Sequence, residues 1–266
     1  MAEPAKAKIL LERVEKRYPT RRSEVEALGG LDFHVWDGEF FCILGPSGCG
    51  KSTLLRILAG LETASAGGIR ITSGAGGRPL TSMVFQEEST LPWMSVRDNV
   101  AFGLEMRGLS RRARHERVGP IIQKVGLSHF ADYYPHQLSG GMRQRVSIAR
   151  ALANDPEVLL MDEPFASLDA QNRLILQAEL LRIWEEARKT VVYITHSLDE
   201  AISLGDRILV MTARPGRIKR LLAVDLPRPR DIVSVRAHPR YAALHQELWD
   251  VLEDEVRRSR QAQGEL

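Results

Sequence analysis

Residues Gly45-Pro46-Ser47-Gly48-Cys49-Gly50-Lys51-Ser52-Thr53 follow the spacing G-x-x-x-x-G-K-[ST], a pattern suited to holding a polyphosphate. Its glycines let backbone N–H groups turn inward around a β-phosphate, and a helix starting near Lys51 adds the positive end of its dipole. The Lys51 ammonium can bridge β- and γ-phosphates, and the Ser52 hydroxyl can ligate Mg²⁺. A second chemical site lies in Val158-Leu159-Leu160-Met161-Asp162-Glu163-Pro164, an apolar run ending in adjacent carboxylates. Acid at the carboxyl edge of a parallel sheet stands where such sheets bind ligands. Asp162 is expected to hold Mg²⁺ through water, and Glu163 to polarise the water that attacks a γ-phosphate.

Leu138-Ser139-Gly140-Gly141-Met142-Arg143-Gln144-Arg145 opens a helical run, Arg145 to Ala153. Ser139, Gly140 and Gly141 at a helix start make a second anion site from bare N–H groups and a capping hydroxyl. With these motifs the chain resembles the ABC ATPases, whose signature is L-S-G-G-Q, from about Ile9 to Arg230. It departs from that signature at Met142, which stands where the family has Gln.

The resemblance implies further roles. Tyr18 is expected to stack on adenine, Gln86 to sense Mg²⁺ and water, Ser167-Leu168-Asp169 to form the D-loop at the nucleotide, and His196 to be the switch histidine. It also implies that two nucleotide domains pack head to tail. ATP held by Lys51 and Ser52 of one is then closed over by Ser139, Gly140 and Gly141 of the other, and loss of the γ-phosphate reopens the pair.

Within that family, Val84-Phe85-Gln86-Glu87, Leu91-Pro92-Trp93, Ala213-Arg214-Pro215-Gly216-Arg217-Ile218, Leu226-Pro227-Arg228-Pro229-Arg230-Asp231 and the closing helix with Trp249 resemble the nitrate/sulfonate/taurine importer branch. The implied protein is the ATPase subunit that powers uptake of a small, often anionic solute. It would be a homodimer or pair with another nucleotide-binding subunit, and sit on two integral-membrane permease subunits at the cytoplasmic face of the cell membrane. An extracytoplasmic solute-binding protein would act indirectly. An exporter or lipid-transport motor of similar length is the alternative reading. One uninterrupted cassette without a heptad arm argues against a chromosome or repair ATPase.

The elements that must position these residues follow from hydropathy. Phe40 to Leu44, Met83 to Phe85, Val158 to Met161, Val191 to Ile194 and Ile208 to Met211 are solidly apolar, as strands buried on both faces of a parallel sheet are. Lys51 to Ala59 and Gln171 to Lys189 carry helical apolar spacing, which defines an α/β P-loop cassette with a mostly parallel core sheet. Alternation in Ile9 to Val14 and Leu31 to Val35, separated by the turn-rich Pro19 to Ser23 and by Gly29-Gly30, predicts an N-terminal antiparallel β layer. Between Glu87 and Pro156 the β signal fades, so a helical subdomain is expected over about 87–156 as an insertion in a nucleotide-binding domain spanning 1–230. A short hairpin over Ile218 to Val224 and an amphipathic helix over Tyr241 to Arg258, with Leu244, Leu248, Trp249 and Leu252 on one face, complete a C-terminal helical tail, 231–266.

Leu91 to Val96 fits either a groove for a permease helix or a satellite core under the helical segment. The arginines at 107, 111, 112, 114 and 117 read as a solvated helix face. The 266 residues are 44% hydrophobic and 27% charged, an ordinary globular balance, and no stretch reaches the roughly 20 apolar residues of a membrane span. Met1 to Leu10, with Glu3 and Pro4, lacks a secretion signal. Cys42 and Cys49 fit neither a disulfide framework nor a zinc site, so both are expected to be free thiols, with Cys49 a small space-filler. A net charge of +3 gives no case for a nucleic-acid partner.

Overall fold

The computed structural model describes residues 6–20, 23–74, 76–87 and 89–263, with side chains to 258. The polar start at 1–5, Arg21 and Arg22 of the expected turn, and the end of the tail at 264–266 lie outside the described residues. The chain forms two compact units, one of Met1–Ser73 with Arg188–Leu266 and one of Gly74–Ala187.

In the first unit, β1 (Ala7–Pro19) and β2 (Glu24–Trp36) are long antiparallel partners, and β4 (Ala66–Ile71) pairs with the other edge of β1. The second layer of this unit holds β3 (Phe40–Leu44) parallel to β7 (Thr190–Thr195) on one side and to β8 (Arg207–Met211) on the other. All five side chains of β3 are buried, because both its faces are covered. The β9 strand (Ile218–Ala223) runs antiparallel to β8. This corrects the hairpin expected within Ile218 to Val224. The turn lies earlier, at residues 212–217, since Ile218 already pairs with Met211.

The α1 helix (Lys51–Leu58) buries Leu54, Leu55, Ile57 and Leu58, and α6 (Leu198–Leu204) is capped by Ser197. The α7 helix (Pro239–Gln263) buries Tyr241, Leu244, Leu248 and Leu252. Trp249, expected on that face, is instead 47% exposed, and the buried stripe continues to Glu255, 2% exposed.

A largely buried ion pair locks this layer. Arg207 holds the Glu39 carboxylate through Nε and Nη2, the latter at 2.8 Å, donates to the His34 carbonyl at 2.8 Å, and lies over the rings of Trp36 and Phe41. Breaking a buried pair strands its partner charge, so Arg207→Ala should lower folding stability by about 3 kcal/mol. A shift in urea midpoint at constant slope would measure that loss.

In the second unit, β5 (Thr81–Val84) and β6 (Val158–Asp162) are parallel partners. The helices α2 (Val96–Met106), α3 (Arg111–Lys124) and α4 (Gly140–Ala153) each start on a serine cap, Ser95, Ser110 and Ser139. They share a core of Val96, Val100, Leu104, Val118, Ile122, Val146 and neighbours. The α5 helix (Ala170–Ala187) buries Leu176, Leu180, Leu181 and Trp184. Phe85, expected inside a strand, falls beyond β5 and is 37% exposed. Among the described residues, no helix is long and apolar enough to cross a membrane.

Candidate functional site

The phosphate loop of the first unit follows the buried β3 and leads directly into α1. Gly45, Pro46 and Cys49 are buried, Ser47 and Gly48 are exposed, and Ser52 and Thr53 are half-buried on the first turn of the helix. Lys51 is only 5% exposed, and its ammonium donates to the carbonyls of Gly45 at 2.7 Å and Pro46 at 2.9 Å. The start of α1 has no side-chain cap hydrogen bond and no acidic residue in its first turn, a helix end whose dipole favours an anion. An inward-folded loop, a buried cation and an uncapped helix start fit the phosphates of a nucleotide.

Gly50 has φ 102, and a Cβ there would lie 2.7 Å from the Ala27 carbonyl oxygen. Gly50→Ala therefore combines a left-handed penalty of about 1–2 kcal/mol with a backbone collision. It should lower the melting temperature and weaken nucleotide binding at least tenfold, both read in one thermal-shift titration with ADP.

The same unit sets His196 beside this loop's strand. Leu44 pairs with Thr195, so Gly45 and His196 leave adjacent parallel strands at the same edge. His196 is exposed, and both its neighbours are pinned. The Thr195 hydroxyl donates to Glu200 at 2.6 Å, and the Ser197 N–H donates to the Thr195 hydroxyl at 3.0 Å. Tyr18 lies on β1, half-buried, with the Lys16 ammonium 4.7 Å from its ring centroid and its hydroxyl 3.5 Å from Glu62. One face of that ring thus already carries a cation.

In the second unit Val84 pairs with Met161, so Gln86 and Glu163 each lie two residues beyond the last registered pair, at one edge. Gln86 is exposed, Asp162 is 5% exposed, and Glu163 is half-buried. Glu163 has φ 44, a left-handed backbone that a glutamate rarely adopts. Such strain gathers at sites where a side chain must be aimed. Ser139 is exposed at the start of α4, and its hydroxyl accepts the Met142 N–H at 3.4 Å. The helix begins at Gly140, earlier than the Arg145 expected for its periodic part, so Gly140 and Gly141 fall in its first turn. A Cβ on Gly141 would lie 3.7 Å from Leu168, which brings the signature against the segment holding Asp169. Asp169 is exposed and accepts the N–H groups of Gln171 at 3.1 Å and Asn172 at 3.0 Å; these bonds, Asn172 foremost, hold its carboxyl below the usual range.

In Leu91 to Val96 the structure supports the core reading at one residue only. Val96 enters the helical core, whereas Trp93 is 71% exposed. Asn99, fully buried, shapes the loop between them, bonding Leu91 and Met94. Neither cysteine is in a disulfide and both are buried; burial pushes the Cys42 thiol well up. Sequence reasoning missed the turn at residues 212–217 as part of this site, although Gly216 was a signal. Its N–H bonds the Ala27 carbonyl at 3.0 Å, and a Cβ there would collide with the carbonyl oxygen of Cys49.

Comparison with known proteins gives the family. The family model described as ABC transporter matches residues 28–166. An uncharacterized ABC transporter ATP-binding protein of Methanocaldococcus jannaschii is 47% identical over 258 residues, 96% of this chain and 94% of its own. A taurine import ATP-binding protein of Rhizobium johnstonii is 45% identical, with 86% and 89% covered, and a nitrate import ATP-binding protein of a Synechocystis species is 45% identical, with 82% and 83% covered. A dimeric post-hydrolysis structure of an ATP-binding cassette bound to ADP and Pi superposes with TM-score 0.72 at 32% identity, covering 81% of this chain and 98% of that one. The chain belongs to the ABC transporter family.

Proposed function

We propose that the chain is the ATP-hydrolysing subunit of an ABC importer for a small anionic solute of the nitrate, sulfonate or taurine kind. The buried Lys51 ammonium inside an uncapped phosphate loop carries the reading, because that arrangement serves phosphates and little else. The chain binds ATP and works paired with another ATPase subunit on membrane permeases. The relatives named for taurine and nitrate import support the solute class.

In this reading Gly45 to Thr53 cradle the phosphates, Lys51 holds the β- and γ-oxygens, and Tyr18 offers its second face to adenine. Glu163 takes the proton of the attacking water, and His196 steadies the γ-phosphate. Ser139, Gly140 and Gly141 reach the nucleotide of the partner subunit, with Asp169 beside them. Ser52, Gln86 and Asp162 offer the hard oxygen donors that suit Mg²⁺, an ion that takes few protein ligands and keeps phosphate oxygens and water. When bound there, Mg²⁺ would neutralise charge developing on the phosphates. The cassette spans 1–230 with its helical subdomain at about 87–156, and 231–266 is the tail. The subunit rests on the cytoplasmic face, and an extracytoplasmic binding protein delivers the solute.

Mild-detergent purification of the tagged subunit from its own membranes tests this. Recovery of a permease and a binding protein is expected, followed by a thermal shift of that binding protein with nitrate or a sulfonate. A permease with no binding protein would refute import.

A further inference from the structure

The closing helix reaches the phosphate loop through one turn, and one buried carboxylate makes the connection. Glu255 of α7 is 2% exposed. Its Oε2 accepts the Ala213 N–H at 2.8 Å, and its Oε1 accepts Lys219 Nζ at 2.9 Å and Arg258 Nη1 at 3.3 Å. Burial works against that charge, but the Lys219 and Ala213 bonds outweigh it and hold the carboxyl below its usual range.

Ala213 opens the turn joining β8 to β9, and the turn is tied across itself. The Thr212 hydroxyl donates to the Pro215 carbonyl at 2.9 Å and accepts the Arg217 N–H at 2.9 Å. Its far side lies on the phosphate loop. Gly216 sits so close to the Cys49 carbonyl that no Cβ fits, and Met211, just before the turn, lies against Gly45, where a Cβ would be 3.2 Å from both its Cβ and its carbonyl oxygen. Gly216 also exchanges backbone bonds with Ala27 and Gly29, both 3.0 Å, so the turn is wedged between β2, the phosphate loop and α7.

We propose that Glu255 is a positioning residue for nucleotide binding: by fixing Ala213 it seats the 212–217 turn against Gly45 and Cys49 and so holds the phosphate loop in its binding shape. The proposal rests on the reading of that loop as the nucleotide site. A carboxylate that merely anchored α7 could bond any exposed donor, but Glu255 is aimed at the turn whose other side touches the loop.

The purified 266-residue chain is titrated calorimetrically with ADP as wild type, Glu255→Ala, Glu255→Gln and Leu248→Ala. Leu248→Ala, at a fully buried position on α7 seven residues before Glu255, loosens the helix while leaving the Glu255 carboxylate in place. Glu255→Ala should weaken ADP binding about fivefold or more, the scale of coupling between linked sites. Glu255→Gln keeps an oxygen for the Ala213 N–H and should stay within about twofold of wild type, whereas Leu248→Ala should lower the melting temperature and leave affinity alone. By reciprocity, ADP should slow hydrogen exchange at the Ala213 amide by a factor similar to the affinity loss. Equal ADP affinity in wild type and Glu255→Ala, or an equal loss in Leu248→Ala, would overturn the positioning role while leaving the nucleotide site intact. A wild type that binds no ADP would instead overturn the reading on which the role depends.

Discussion

Glu163→Gln should bind ATP normally and hydrolyse it roughly 10²–10⁴-fold more slowly, the range assigned to a positioned general base. On the proposed assignment the substitution removes the proton acceptor and keeps the side chain's shape. Glutamine has the same length and branching, and its backbone meets the same penalty as glutamate at φ 44, so folding should be unchanged. Because nucleotide entry does not need the carboxylate, ATP should accumulate between paired subunits. Phosphate release measures the first effect, and light scattering with and without ATP measures the second. Turnover at the wild-type rate would remove Glu163 from the role of base.

Lys51→Ala should lose nucleotide binding by roughly 30-fold to 10³-fold, as expected where a buried hydrogen-bonded charge is removed from its partner. The Lys51 ammonium donates to the Gly45 and Pro46 carbonyls, so its donors point into the loop. Alanine leaves both carbonyls without that donor but also removes a buried charge. The two changes oppose each other, and the melting temperature of the nucleotide-free chain should move little. Titration with ADP separates the outcomes: retained affinity would mean that the backbone N–H groups alone bind the phosphates.

Much of this arrangement is legible in the residues. The buried strands β3, β6, β7 and β8 stand within a residue of their apolar runs, because a strand covered on both faces has no polar positions to blur its ends. The phosphate loop and the Ser139 cap are equally plain, since each needs fixed residue types at fixed offsets. The β4 strand, Ala-Gly-Gly-Ile-Arg-Ile, was illegible because its glycines erase the alternation that marks a half-buried strand. Trp249 deceived because an amphipathic pattern gives a stripe's spacing but not its edges, and a large ring at the margin can face water. Glu255 was hidden more deeply. A glutamate inside a helix reads as solvated, and only the fold shows that a turn distant in sequence supplies its donors.

The backbone of residue 163 has one more implication, for anyone engineering this protein. A left-handed glutamate makes the folded chain less stable by roughly 1–2 kcal/mol than a glycine in the same place. A thermostability screen blind to turnover would therefore favour glycine or asparagine at this position and report success. On the role proposed for Glu163, the selected variants would be heat-resistant proteins with no motor in them, so any such library should hold residue 163 fixed.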